Sequence, residues 1–590
     1  MRRTLLSLAL TLAVATPALA QDAPRAWIAE SDAHAQRILA MQARFSPEFA
    51  SSVGLPGHDG LAIDLGPEIE ARQRAAGLEV LAQLQAELAA ATDANVRQDL
   101  AIMVDAVQRD LDGSALGQRT FLAWTDAPQL VFGGLSDLLQ EQNPADKQRA
   151  AVERLRRYVG LHAGSESVFA QARARFEEDA RTPGQLGPVR AEVEQALANA
   201  PTYAAGLREE FAARGLADAE GVAEALDALE AQSADFVAWA RDTVLPLARE
   251  DARLPDEVYA FGLRQYGIDI DPRDLARRAM FEYVEIRHQM EAIARRLAEE
   301  RSYRSSDYRE VLRELKRDRL AADAVVPHYR DTVMPALERM IEEQRVVGLP
   351  TRPVIMRLAS AAESAAQPAP HMDPPPFIGN TGEQGQFVLT MGNPDASGDS
   401  DGYDDFTHAA AAWTLSAHEA RPGHELQFAT MVEQGVSLAR SLYAFNSVNV
   451  EGWALYAEAE MVPYEPLEGQ LVALQFRLLR AARAFLDPQL NLGLTTREEA
   501  RRILEEEVVL SPAMARQELD RYQFRAPGQA GSYFYGYTRI LELRAETELA
   551  LGERFDRKAF NDFLLAQGLL PPDLMAQAVR EVFIPAQRAR

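Results

Sequence analysis

The chain reads as a mainly α-helical protein of two helical lobes with a small β-sheet, and three features of its 590 residues predict this. From Pro24 to about Leu247 the text is alanine-rich, with apolar residues recurring at helical spacing between Gly, Pro and Asp breaks. Long charged helices continue from Asp256 to Val346. The clearest strand signal is the run Gly385 to Met391, G-Q-F-V-L-T-M, closed by Gly392-Asn393-Pro394. The expected boundaries are 1–20 for a targeting segment, 21–250 for an N-terminal lobe and 251–590 for a lobe that carries the chemistry.

Taken in order, Arg2 and Arg3 precede an apolar stretch from Leu5 to Ala15, then Pro17 and the small-residue signature Ala18-Leu19-Ala20. This is the layout of a signal peptide cleaved before Gln21, and it predicts a periplasmic or secreted protein. The stretch is shorter than the roughly 20 apolar residues that a membrane span needs, so stable membrane insertion is not expected. With no cysteine there is no disulfide, no thiolate metal ligand and no thiol for lipid attachment. A formal net charge of −26 argues against nucleic acid and anionic membranes as partners.

Helical segments are expected at Glu68 to Ala90, Ala145 to Leu161, Pro188 to Ala200 and Ala217 to Arg241. His34, His58, His162, His288 and His328 have no carboxylate or histidine neighbour at ligand spacing, so this half reads as one wall of a cleft. Tyr283, Ile286, Met290, Ile293 and Leu297 form one buried stripe on a charged helix. Gly348-Leu349-Pro350 and the segment Gln367 to Phe377, with five prolines, then interrupt the helical text. The strand after them suits an edge that holds an extended peptide by main-chain hydrogen bonds; a plain structural hairpin accounts for it equally well. In the acidic loop from Asp395 to Asp405, Asp399, Asp401 and Gly402 match the middle of a calcium-binding loop. Ser397 and His408 stand where its first and last ligands belong, so the loop reads as solvated, with Asp404, Asp405 or Thr407 capping the next helix.

That helix enters W-T-L-S-A-H-E-A-R-P-G-H-E-L-Q, Trp413 to Gln427, which holds two of the nine histidines. In the zinc-hydrolase pattern H-E-x-x-H both imidazoles share a helix face and the glutamate serves as base. Here His424 comes two positions late, and six residues at about 100° each would leave it roughly 120° from His418. Pro422 and Gly423 resolve this, since proline breaks the ladder and glycine tolerates unusual backbone angles. The same residues could equally mark a helix end followed by a solvated histidine; a third ligand decides between the two. Glu451, in N-V-E-G-W-A-L-Y-A-E, supplies it, at a distance that allows a turn and an antiparallel helix. Glu458, seven residues on, shares its face, and a carboxylate pair on an apolar face needs a metal or a counter-charge.

These motifs, followed by R-Y-x-x-x-x-P-G-Q-A-x-x-Y-x-x-G from Arg521 to Gly536, resemble the bacterial family called domain of unknown function 885, over residue 25 to the C-terminus. Glu425 departs from it, standing where the family often has an adjacent histidine. The resemblance implies a zincin-like metallopeptidase of the helical, deep-cleft kind. It also puts the oxyanion-stabilising tyrosine at Tyr533, with Tyr537, one turn along the same face, as the weaker candidate.

The expectation is therefore a zinc-dependent peptidase. His418, His424 and Glu451 hold Zn²⁺ with a fourth position for water, and manganese or cobalt could substitute. Glu419 moves the proton, Tyr533 steadies the oxyanion, and Glu458 orients a ligand. Gln529 positions substrate. Short peptides would be trimmed from the C-terminal side, their carboxylate held by Arg521, Arg525 or Arg539. A hydrolase of a non-peptide amide or ester needs the same residues; a non-catalytic binding protein would have no use for Glu419.

Overall fold

The computed structural model describes residues 26–391 and 404–590, so the targeting segment and the calcium-loop residues Asp399, Asp401 and Gly402 lie outside the described residues. Within them the protein is mainly helical with one small three-stranded sheet. The expected N-terminal helices are Ile69–Ala90, Ala145–Tyr158, Arg190–Ala213 and Val222–Thr243. The third runs well past Ala200 and accommodates Pro201 inside it. On Pro272–Arg301, Ile286, Met290 and Leu297 are fully buried, and Asp271 caps the first turn through the Arg273 amide at 2.8 Å.

Five helices build the site and are numbered here: α1 (Ala411–Glu419), α2 (His424–Gln434), α3 (Ser447–Met461), α4 (Leu467–Asn491) and α5 (Gly531–Leu551). α4 is buried on nearly every side, its polar residues Gln475, Arg480, Arg483 and Asp487 included. It packs along Pro272–Arg301 and against α1 and α5. α3 and α5 meet at two glycines: a Cβ on Gly536 would lie 2.0 Å from the Val448 carbonyl oxygen and 2.7 Å from the Gly452 Cα. No side chain fits between them.

The strands are β1 (Ile355–Leu358), β2 (His371–Asp373) and β3 (Gln386–Leu389), in the order β1-β3-β2. β3 pairs parallel with β1, opposing Met356 to Phe387, and antiparallel with β2, opposing Met372 to Phe387. The strand read from the sequence is therefore central and not an edge. Burial on both faces explains why its residues run Phe-Val-Leu without a polar alternate. Its outer neighbour, β2, comes from the proline-rich segment read as loop.

One further expectation is corrected. No side chain caps α1: Ala410 occupies the position, and Asp405 instead accepts from Lys316 Nζ at 2.6 Å and the Ser511 amide at 3.1 Å. A buried lysine needs its counter-charge more than a helix end needs a cap. The two larger hydrophobic cores draw on different parts of the chain. One core joins Ile38, Leu100 and Met103 to Ile286, Leu478 and Val579. Another gathers Val131, Phe169, Phe211 and Phe236 with Ala362 and Ala365. The first N-terminal helices thus pack with the C-terminal half, and roughly 122–250 forms the opposing lobe with the short helix Ala361–Ala366.

Candidate metal centre

α1 ends at Glu419 and α2 begins at His424. The link between them turns so tightly that a Cβ on Gly423 would sit 1.8 Å from the His418 carbonyl oxygen. Only glycine allows that approach. The Trp453 indole N–H donates to the carbonyls of Pro422 (3.1 Å) and Gly423 (3.3 Å), fixing the break from α3. The two imidazole rings consequently meet at 4.7 Å between centroids, nearly perpendicular at 82°.

Glu451, in the second turn of α3, completes the cluster. Its Oε2 lies 3.6 Å from His418 Nε2 and 3.3 Å from His424 Nε2. The three ligand atoms all fall within 4.8 Å of one another, the one such group among the described residues. Donors about 2.0–2.1 Å from a tetrahedral zinc stand about 3.3 Å apart, so the spacing fits a metal ion. The buried Oε2 accepts no protein hydrogen bond, as expected of an atom meant for a cation. Burial opposes its ionisation, yet the proximity of the two histidines holds Glu451 well below the usual carboxylate range.

Glu458 lies directly behind His418, whose Nδ1–H donates to its Oε1 at 2.5 Å. Thr414 and Arg480 also donate to Glu458, at 2.7 and 3.3 Å. Although burial works against the charge, Arg480 and His418 keep Glu458 ionised, which places the His418 proton on Nδ1 and leaves the Nε2 lone pair for a metal. Glu419 faces the same cavity; burial, with the charge of Glu451 added against the pull of His424, raises its carboxyl to about 8.

The cavity over the cluster holds about 610 Å³. Tyr533 on α5 lines it, stacked 6.1 Å from the His418 ring at 11°. Arg521 donates to the Tyr533 hydroxyl at 2.8 Å, and the Arg483 guanidinium covers the ring at 4.5 Å. Arg483 in turn binds Glu518 through two N–H groups at 2.7 and 2.5 Å. Burial opposes that pair, but the guanidinium charge wins and holds Glu518 at about 2.

The remaining expected residues divide. Gln529 lines the cavity with its amide engaged by protein: Arg521 donates to its oxygen, and its NH₂ reaches Ser447 at 2.8 Å and Glu451 Oε1 at 3.5 Å. It is built to hold Glu451 more than a substrate. Arg525 is at the cavity edge, donating to Gln195 at 2.6 Å. Tyr537 does not line the cavity; Arg477 covers its ring at 4.9 Å, one helical turn being enough to carry it past the rim. Arg539 is likewise elsewhere, paired with Asp573 at 2.7 Å. Glu425 is buried against Arg421, whose Nε donates to it at 2.7 Å.

Sequence reasoning missed the opposite wall, Ala366 to Pro374, with His371 on β2. The five prolines marked this stretch as non-helical, but nothing local says that it faces the histidines. The buried Arg480, Arg483 and Glu518 were also missed, sitting unannounced in ordinary helical text.

Fold and site together define a mainly helical protein whose His-His-Glu cluster, lining a large cavity, could hold a metal ion. The chain belongs to the family described as "Bacterial protein of unknown function (DUF885)", whose family model matches residues 47–579. Comparison with curated proteins gives no match. Among solved structures, the chain is similar to one from Shewanella oneidensis described as "a putative lipoprotein of unknown function", at 22% identity and TM-score 0.67, covering 94% of this chain and 99% of that one. A second, described as "the putative lipoprotein from Colwellia psychrerythraea", matches at 19% identity and TM-score 0.74, covering 95% and 99%. Likeness at this identity carries the fold alone.

Proposed function

We propose that the protein is a zinc-dependent hydrolase of peptide bonds, acting on short extended peptides outside the cytoplasm. The observation that carries this reading is the convergence of His418 Nε2, His424 Nε2 and Glu451 Oε2 in one cavity with Glu419. A bound divalent cation would supply Lewis-acid activation of water and carbonyl. Glu419 takes the proton of the attacking water and returns it to the leaving amine, a task suited to a carboxyl whose proton affinity burial raises above the usual carboxylate range. Tyr533, held protonated by burial despite Arg521, donates to the oxyanion, since its hydroxyl already accepts from Arg521 and keeps its own proton to give. β2 has β3 on one side only among the described residues and lines the cavity, which offers main-chain pairing to an extended peptide. The leader-like residues 1–20 support export, and similarity to structures described as putative lipoproteins agrees with an envelope setting.

The test joins metal analysis of the purified protein to hydrolysis of a mixed peptide library, with acyl amides and esters alongside at fixed zinc. Glu419→Gln should keep its metal while hydrolysis falls by at least about 100-fold. His418→Ala, His424→Ala and Glu451→Ala should each lose metal as well. A protein that binds no divalent metal, or hydrolyses the acyl amides and esters but no peptide, would overturn the reading.

A further inference from the structure

Two further chambers adjoin the cavity over the cluster and share lining residues with it. A chamber of about 340 Å³, lined by Trp124, Asp126, Glu192, Tyr203 and Phe524, shares Ala366 and Arg525 with it. Another of about 480 Å³, lined by Phe49, Asp137, Lys147, Phe377 and Glu383, shares Pro374, Phe428 and Phe445 with it. Ala366 and Pro374 are the two ends of the backbone stretch that forms the central wall, so the three chambers succeed one another along it. That stretch contains β2 and spans at most about 29 Å. The histidine cluster therefore lies in the middle of a trench and not at the bottom of a blind pocket.

Charge in the flanking chambers disfavours a chain end as the anchor. Asp126 and Glu192 outnumber Arg525 in one, which is already hydrogen-bonded to Gln195; Asp137, Asp373 and Glu383 outnumber Lys147 in the other. Burial raises Asp126 to about 6 and also pushes Glu192 and Asp137 upward, against the pull of Arg249 and Arg525 at Glu192 and of Lys147 and Arg154 at Asp137. A substrate carboxylate entering either chamber would meet like charge in a partly desolvated space. Main chain with residues on both sides of the cut meets no such penalty.

We propose that the protein cleaves within an extended peptide that lies along the 366–374 stretch and occupies both flanking chambers, so that neither chain terminus is required. This rests on the reading of the site as a peptide hydrolase. The experiment offers the metal-loaded full chain one uncharged ten-residue peptide with free ends, with an amidated C-terminus, and with both ends blocked, followed by mass spectrometry. The expected result is the same internal cut in all three, at rates within about threefold. Loss of about tenfold or more on blocking either end, or products shortened stepwise from a terminus, would overturn the proposal and leave the hydrolase reading standing. No chelator-sensitive cleavage of any form would overturn both. In a second arm, Ser52→Trp and Gln129→Trp narrow the two chambers; each should raise KM for the blocked peptide by about fivefold or more with metal content unchanged. An unaltered KM in both variants would also overturn it.

Discussion

Tyr533 and Glu458 both contact His418, one at its ring face and the other at Nδ1, and the effects of removing them should be separable. The Tyr533 ring lies flat against His418, and its hydroxyl accepts from Arg521. Tyr533→Phe keeps the ring and removes only the donor, so kcat should fall by about 100-fold with KM and metal content unchanged. Loss of metal in that variant would show the tyrosine to be structural. Glu458 instead fixes the tautomer and aim of His418. Glu458→Gln should weaken metal affinity by about 10–100-fold in a competition titration with a chelator. An unchanged affinity would remove Glu458 from the account.

Among the elements, the α1–α2 break and the α3–α5 crossing set the site. Deleting Pro422 and Gly423 regenerates H-E-A-R-H, yet it would remove both acceptors of the Trp453 indole N–H and shift His424 away from Glu451. The deletion should bind metal more weakly and hydrolyse more slowly; normal affinity and rate would make the insertion incidental. At the crossing, Gly536→Ala places a methyl against the Val448 carbonyl. Overpacking of this kind costs about 1–3 kcal/mol, and here the displaced helix also carries Tyr533. Thermal unfolding should shift down with activity falling alongside, and an unshifted melting curve would contradict the close approach.

For the whole molecule, buried carboxyls govern how stability varies with pH. Glu465 is 4% exposed, neither of its oxygens has a protein partner, and burial with the charge of Glu458 raises it to about 8. Its unfolded value is about 4.5, so in the metal-free protein its contribution is complete below that pH. It is lost as pH rises toward 8, where the unfolded chain has ionised and the folded one has not. Asp487, raised to about 7 chiefly by burial, adds to the same trend. Melting temperature should fall between about pH 5 and 8, and Glu465→Gln, which cannot ionise, should flatten part of that fall. Parallel profiles for the two proteins would show Glu465 to be solvated or paired.

What the sequence determined by itself is what repeats or sits close along the chain. Helical periodicity marked Ile286, Met290 and Leu297 for burial, and the seven-residue interval aligned Glu451 with Glu458 on one face of α3. Pro422-Gly423 announced the break that brings the two imidazoles together, because backbone constraints act on the residues that carry them. Tertiary structure decided whatever depends on partners distant in sequence. Asp405 leaves the α1 cap for Lys316, and a proline-rich segment becomes β2 and the wall opposite the histidines. Helices such as Ala26–Phe45 and Ala94–Thr120 join the C-terminal core, although the text around them reads as one lobe with 122–250. Tyr533 and Tyr537 share a spacing and a face, yet only the packing of α5 against α3, through Gly452 and Gly536, brings one of them into the cavity. Local periodicity specifies that a face is buried; which neighbour buries it is a property of shape, counter-charge and close approach, and none of these has a period in the sequence.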